Sequence, residues 1–192
     1  AVRSECYSLL LLLGVGLMLM AEANHLLMAY LAMELVSLSS YVLVGLLRER
    51  RSAEAARKYL LFGALASGIM LFGMSLLFGL TGALAFPDLQ AAVAGISGPM
   101  ARALLVAVAL LLAGLAFKIS MVPFHMWTPD AYEGAPAAVT ALLSVGPKAA
   151  GLALFLRLLE TLGPLWPSLA PLLLVLTVAT MTLGNLVALV QT

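Results

Sequence analysis

Six stretches of about 20 mostly apolar residues decide what this chain can become, because ~20 such residues in a helix cross ~30 Å of hydrocarbon. They run over residues 4–21, 25–47, 57–80, 100–122, 136–159 and 168–190. None alternates with period two, and the leucines at 9–13 and 110–112 are apolar all round. That excludes an outer-membrane barrel, whose strands alternate. The first stretch has the length of a signal peptide, but no small-residue cleavage site and soluble domain follow it, so it reads as a true span. The expected fold is an all-α polytopic membrane protein of about six transmembrane helices, forming one transmembrane domain over 1–192.

Composition removes other classes. Hydrophobic residues make up 64% and charged residues 10%, which leaves too little polar surface for a soluble enzyme. Ten Lys/Arg against nine Asp/Glu give a net charge of +1, without the basic patch a nucleic-acid partner needs. A lone Cys6 excludes a disulfide framework and a thiolate metal site. No phosphate loop, nucleophile elbow or dinucleotide fingerprint is present, so no cofactor or metal is expected in this chain.

Orientation follows from the basic residues. Half of them lie in the link 48–58: Arg48, Arg50, Arg51, Arg57 and Lys58. With that link in the cytoplasm, Arg3 is inside, the turn containing Glu22 is outside, and Arg102 and Arg157 lie near the outer face. The Gly/Ala-rich link 81–99, with Asp88, is then external. The link 123–135 is cytoplasmic yet carries no Lys or Arg, a departure that marks it for attention. The chain opens at Ala1 without a methionine and closes at 190–192 without a basic flank. The expectation is therefore a piece of a longer chain, cut at both ends.

Three ionisable residues fall well inside spans: Glu34, Lys118 and Lys148. Each costs ~2.5–3.5 kcal/mol on insertion scales, so they should face inward and meet partners or water. Tyr30, Glu34, Ser37 and Tyr41 share one helical face, and Thr140, Ser144 and Lys148 share another. Such stripes either glue helices together or line a file of water. Two prolines sharpen the pattern. Pro123 denies a hydrogen bond to the Ile119 carbonyl, so the fourth span should kink or open beside Lys118. Pro147, between Gly146 and Lys148, does the same to Leu143. Carbonyls freed at membrane depth must find donors, and discontinuous helices in transporters use this to build ion sites. Burial disfavours the charged form of such a lysine and a nearby carboxylate favours it, so moving Glu34 relative to Lys118 changes proton occupancy.

His125, beside the Pro123 break, is placed to relay protons between lysine and water, or else to cap the broken helix or bond a loop carbonyl. His25 sits at an outer helix end. Asp130 and Glu133 read as turn and cap residues before Pro136. The ten methionines read as packing, and Gly63, Gly68, Gly73 and Gly79 as sites of close helix contact.

The segment Ala116-Phe-Lys-Ile-Ser-Met-Val-Pro-Phe-His-Met-Trp-Thr-Pro-Asp-Ala-Tyr-Glu-Gly-Ala-Pro136 resembles the proton-conducting, antiporter-like membrane subunits of respiratory complex I. The likeness continues through Val139-Thr-Ala-Leu-Leu-Ser and Lys148-Ala-Ala, and back to Met33-Glu34-Leu-Val-Ser-Leu-Ser-Ser-Tyr-Val-Leu. It covers essentially the whole chain. The wording fits one branch of that family, with lysine rather than histidine on the helix after the break. The other antiporter-like subunits and their Mrp antiporter relatives tend to read Pro-Leu-His-x-Trp-Leu-Pro there.

The resemblance implies roles in proton transfer for Glu34, for Lys118 on a broken helix and for Lys148 on the next, with His125 a possible relay. It implies about fourteen helices in two inverted five-helix repeats. This chain would then hold the first repeat, about 1–160, and the opening helix of the second, about 165–192. It implies a bacterial inner-membrane location, neighbouring complex I membrane subunits and the lipid bilayer as partners, and energy from electron transfer to quinone in other subunits. Two rivals stand beside it: an Mrp-type cation/proton antiporter subunit, and a structural scaffold whose charges merely pin helices.

Overall fold

The computed structural model describes residues 2–47 and 49–190. Arg48 of the basic link, terminal residues 1, 191 and 192, and the Arg3 side chain lie outside that description. Among the described residues eight α-helices follow one another: α1 Val2–Glu22, α2 Leu26–Val44, α3 Arg50–Thr81, α4 Phe86–Gly95, α5 Pro99–Lys118, α6 Trp127–Gly134, α7 Ala137–Thr161 and α8 Trp166–Val190. Six of them, α1, α2, α3, α5, α7 and α8, are long and apolar enough to cross a membrane, as the sequence indicates.

Helix ends follow local chemistry. His25 caps α2 by accepting the Leu27 N–H on its ring nitrogen. Gly82 ends α3 in the left-handed region at φ 66, where only glycine is free of side-chain strain. Proline opens α4 and α5 within their first two positions, where its missing N–H costs nothing. At 32 residues α3 is ~48 Å long, well beyond what the hydrocarbon needs. Its surplus is the basic turn Arg50–Lys58, which is helical where the sequence suggested a link.

Two other links also hold helices. The stretch 81–99 contains α4, and 123–135 contains α6, so neither is the open loop expected. Both helices are short, 10 and 8 residues, too short for a run of helical periodicity to announce them. They dock by contacts distant in sequence. At one end of the bundle Leu26 N–H donates to the Leu84 carbonyl and Phe86 N–H to Asn24. Arg157 donates to the Ala23 carbonyl at that same end. At the opposite end α6 lies on the start of α3.

Close helix contact comes from some of the predicted glycines and not others. A Cβ on Gly63 would overlap the Tyr41 hydroxyl, and one on Gly73 would lie 2.8 Å from the Ala107 carbonyl. Gly68 and Gly79 face open space, so the expectation fails for them. The core divides in two. Met70, Met74, Leu111, Leu115 and Leu154 fill one part, and Tyr41, Tyr59, Phe117, Trp127 and Leu143 fill the other. Phe117 belongs to the second part and Leu115 to the first, so Lys118 stands where the two meet.

Candidate functional site

The fourth span ends at Lys118, earlier than the expected limit of 122, and the terminator is not Pro123 itself. Ser120 adopts φ 59, its N–H donates to the Phe117 carbonyl, and the Met121 N–H reaches back to Ala116. These are the paired bonds of a Schellman ending, with serine where glycine is usual. Pro123 then forbids the chain from resuming the same helix. The Ser120 hydroxyl accepts from Thr128 on α6, and the Val122 N–H donates to Thr180 on α8. The opening beside Lys118 is thus present, built by a cap and stitched to two helices.

Lys118 is 2% exposed. Its Nζ donates to the Ser37 Oγ at 3.0 Å, and that hydroxyl donates to the Met33 carbonyl. Among the described residues Lys118 forms no ion pair within 4.0 Å. Glu34 lies three residues before Ser37 on the same face of α2. The Glu34 carboxylate accepts from Ser67 on α3, whose hydroxyl lies 3.3 Å from the Tyr30 hydroxyl. The predicted stripe Tyr30, Glu34, Ser37, Tyr41 is therefore real, and it gathers a lysine from α5 and a serine from α3. Ser67 escaped the sequence reading. Its only signal was a hydroxyl four residues after Gly63 in an oily helix.

Lys148 stands elsewhere on α7. Its Nζ donates to the Tyr132 hydroxyl, 4.7 Å above the Tyr132 ring and 5.9 Å from the Trp127 ring. Pro147 does not break α7, which runs on through Thr161. The carbonyl it frees, Leu143, accepts from the Tyr132 hydroxyl at 3.2 Å. The second predicted stripe is only partly assembled: Thr140 bonds to the Tyr132 carbonyl, whereas Ser144 is exposed and bonds to Ala141 of its own helix. His125, Ser120, Thr128, Tyr132, Glu133 and Lys148 border one cavity of about 600 Å³, closed on one side by Gly184 and Val187 of α8. The His125 Nδ1 is buried and has no protein partner, so the capping role is not the one this nitrogen plays.

Asp130 and Glu133 are not simple caps. Asp130 pairs with Lys58 at 3.3 Å and Glu133 pairs with Arg51. The link without Lys or Arg of its own thus draws its cations from α3, and both links occupy one end of the bundle. Gly134 lets α6 approach, since a Cβ there would fall 2.4 Å from the Ala55 methyl. An aromatic wall runs from α2 across α3 to α6. Tyr41 meets Tyr59 edge-on at 4.6 Å, Tyr59 stacks on Trp127 at 4.3 Å, and the Trp127 Nε1 donates to the Phe117 carbonyl.

A bundle of helices long and apolar enough to cross a membrane, one of them ending at a buried lysine, defines an all-α polytopic membrane domain. The family model described as "NADH:quinone oxidoreductase/Mrp antiporter, TM" matches residues 23–192, and the chain belongs to that family. It is 53% identical to NADH-quinone oxidoreductase subunit N 2 of Rhizobium meliloti, over 98% of this chain and 39% of that protein. It is 45% identical to subunit N of Halorhodospira halophila, over 100% of this chain and 40% of that one. A chain of respiratory complex I from Thermus thermophilus superposes with a TM-score of 0.80 at 38% identity, over 97% of this chain and 40% of that one. A chain of the Mrp complex from Dietzia gives 0.69 at 29% identity, over 80% and 29%. The chain spans about two fifths of the length of the relatives it matches.

Proposed function

We propose that this chain is part of a membrane subunit of an NADH-quinone oxidoreductase that moves protons across a bacterial inner membrane. Electron transfer in other subunits drives it, and no redox group is needed in this chain. Neighbouring antiporter-like subunits and lipid are its partners. The observation that carries the reading is Lys118: almost wholly buried at a helix break, bonded to Ser37, with Glu34 one turn away. A lone lysine at such depth is costly, and a partner able to move makes its proton labile. The Mrp-type antiporter reading has less support, from the lower identity and coverage of the Mrp chain.

In this mechanism Lys118 holds a proton as ammonium against the Ser37 oxygen, with the Glu34 carboxylate favouring the charged form. The structure holds Glu34 on Ser67; a swing towards Lys118 strengthens that support, and the return to Ser67 lets Lys118 release its proton towards α7 and Lys148. Gly151 brings α7 close, since a Cβ there would lie 3.7 Å from the Lys118 Cγ. Lysine suits this work because its protonation responds to burial, whereas arginine stays charged. We read the basic start of α3 and the α6 end as cytoplasmic, 1–160 as a first repeat, and α8 as the start of a second.

The test is proton pumping in the intact complex carrying Glu34→Gln, Lys118→Ala or both. Each single change should cut pumping about tenfold or more, and the pair should lose far less than the product of the two, because one network is being disabled twice. Normal pumping by Lys118→Ala would overturn the reading.

A further inference from the structure

Tyr132 does more than pack α6 against α7. Pro147 has no N–H, so the Leu143 carbonyl has no partner one turn along its own helix. The Tyr132 hydroxyl fills that vacancy at 3.2 Å. A phenol carries one proton. With that proton committed to Leu143, the phenolic oxygen meets Lys148 only as an acceptor. The Thr140 hydroxyl bonds the Tyr132 carbonyl at 3.1 Å, tying the backbone of α6 to the same turn of α7.

An acceptor-only oxygen and the faces of two aromatic rings surround the Lys148 Nζ on this side. The Lys148 N–H groups not used on Tyr132 remain beside the cavity that His125, Ser120 and Thr128 border. His125 lines it with its Nδ1 buried and unpartnered. The other titratable group on this cavity is Glu133, already paired with Arg51. From α8 come only Gly184, Val187 and Ala188, α1 meets this stretch of α7 at Gly146 through Leu17, and Lys118 lies one turn along, at Gly151.

We infer that Pro147 and Tyr132 act together as a positioning device for Lys148. The proline frees a carbonyl, the carbonyl orients the phenol, and the phenol holds the ammonium so that its proton leaves into the cavity on the His125 side. This rests on the reading that Lys148 carries protons. Tyr132 touches no proton in flight and acts through the lysine.

The experiment is the pH profile of proton pumping in the assembled complex with Tyr132→Phe, Pro147→Ala, both together, and Lys148→Ala. Tyr132→Phe keeps the ring and removes only the hydroxyl. It should lose pumping on the alkaline side about one pH unit earlier than the parent, as expected when one bond to a charged donor is removed. Pro147→Ala restores the helix bond to Leu143 and should move the same limb in the same direction, and the double variant should move it no further. A purely structural role would lower pumping equally at every pH, and that result, or an unmoved profile in Tyr132→Phe, overturns the inference. Should Pro147→Ala fail to assemble, the Tyr132→Phe profile decides alone. Inactive Lys148→Ala with an unmoved Tyr132→Phe profile defeats only this inference, whereas normal pumping by Lys148→Ala defeats the proton-carrying role of Lys148 as well.

Discussion

Lys118 and Lys148 both sit inside membrane-spanning helices, and their surroundings differ in kind. Lys118 ends its helix, at the negative pole of the helix dipole. It is sealed from solvent and touches one hydroxyl. Lys148 lies mid-helix and half-buried, against two aromatic rings and a phenol, on the edge of a cavity. A proline accompanies each. Near Lys118 the chain leaves the helix altogether. At Lys148 the helix continues, and a residue from another element takes up the slack. The contrast shows that a proline's consequence depends on which donors surround the carbonyl it frees. It also separates two settings of a buried cation: an insulated one bonded to a single hydroxyl, and a half-buried one on the edge of a cavity.

The change with the largest expected effect strikes the wall the two sites share. Trp127→Ala removes the stack on Tyr59 and the bond to the Phe117 carbonyl. It should cost about 3–5 kcal/mol, with Trp127→Phe intermediate. Thermal denaturation of the full-length subunit in detergent measures this. Equal melting of Trp127→Ala and the parent would mean that the two sites are not joined through that ring. A smaller effect divides them. Ser37→Ala takes away the one hydroxyl that holds Lys118 and should cost ~1.5–3 kcal/mol, as for a bond to a charged group. Ser144→Ala on the Lys148 helix should stay within ~0.5 kcal/mol, because that hydroxyl is exposed and bonded to its own helix. Matched losses in the two variants would erase the distinction between insulated and open surroundings. The least effect belongs to the outer clasp. Arg51 and Glu133 are 69% and 64% exposed, so Arg51→Ala should cost at most ~1 kcal/mol and lose even that at high salt. A larger, salt-independent loss would show that α6 depends on this pair rather than on Trp127 and the close approach at Gly134.

The sequence by itself determined the membrane class, the spans to within a few residues except at the start of α3 and the end of α5, and the three ionisable residues at depth. Those are properties of single segments: a run of apolar side chains is long enough or it is not, and a charge within it is costly wherever the helix packs. The chain also announced an ending beside Lys118 through Pro123, although a Ser120 cap makes it and Pro147 breaks nothing. Partners were another matter. Only the tertiary structure decided that Lys118 bonds Ser37 rather than Glu34, that Ser67 takes the carboxylate, and that Asp130 and Glu133 reach Lys58 and Arg51. It likewise decided that Tyr132 joins Lys148 to the carbonyl Pro147 exposes, and that Gly63 and Gly73 are tight while Gly68 and Gly79 are free. Side chains on different helices meet according to how those helices are rotated and spaced. In an apolar solvent, where every face of a span is oily, periodicity carries little record of that rotation.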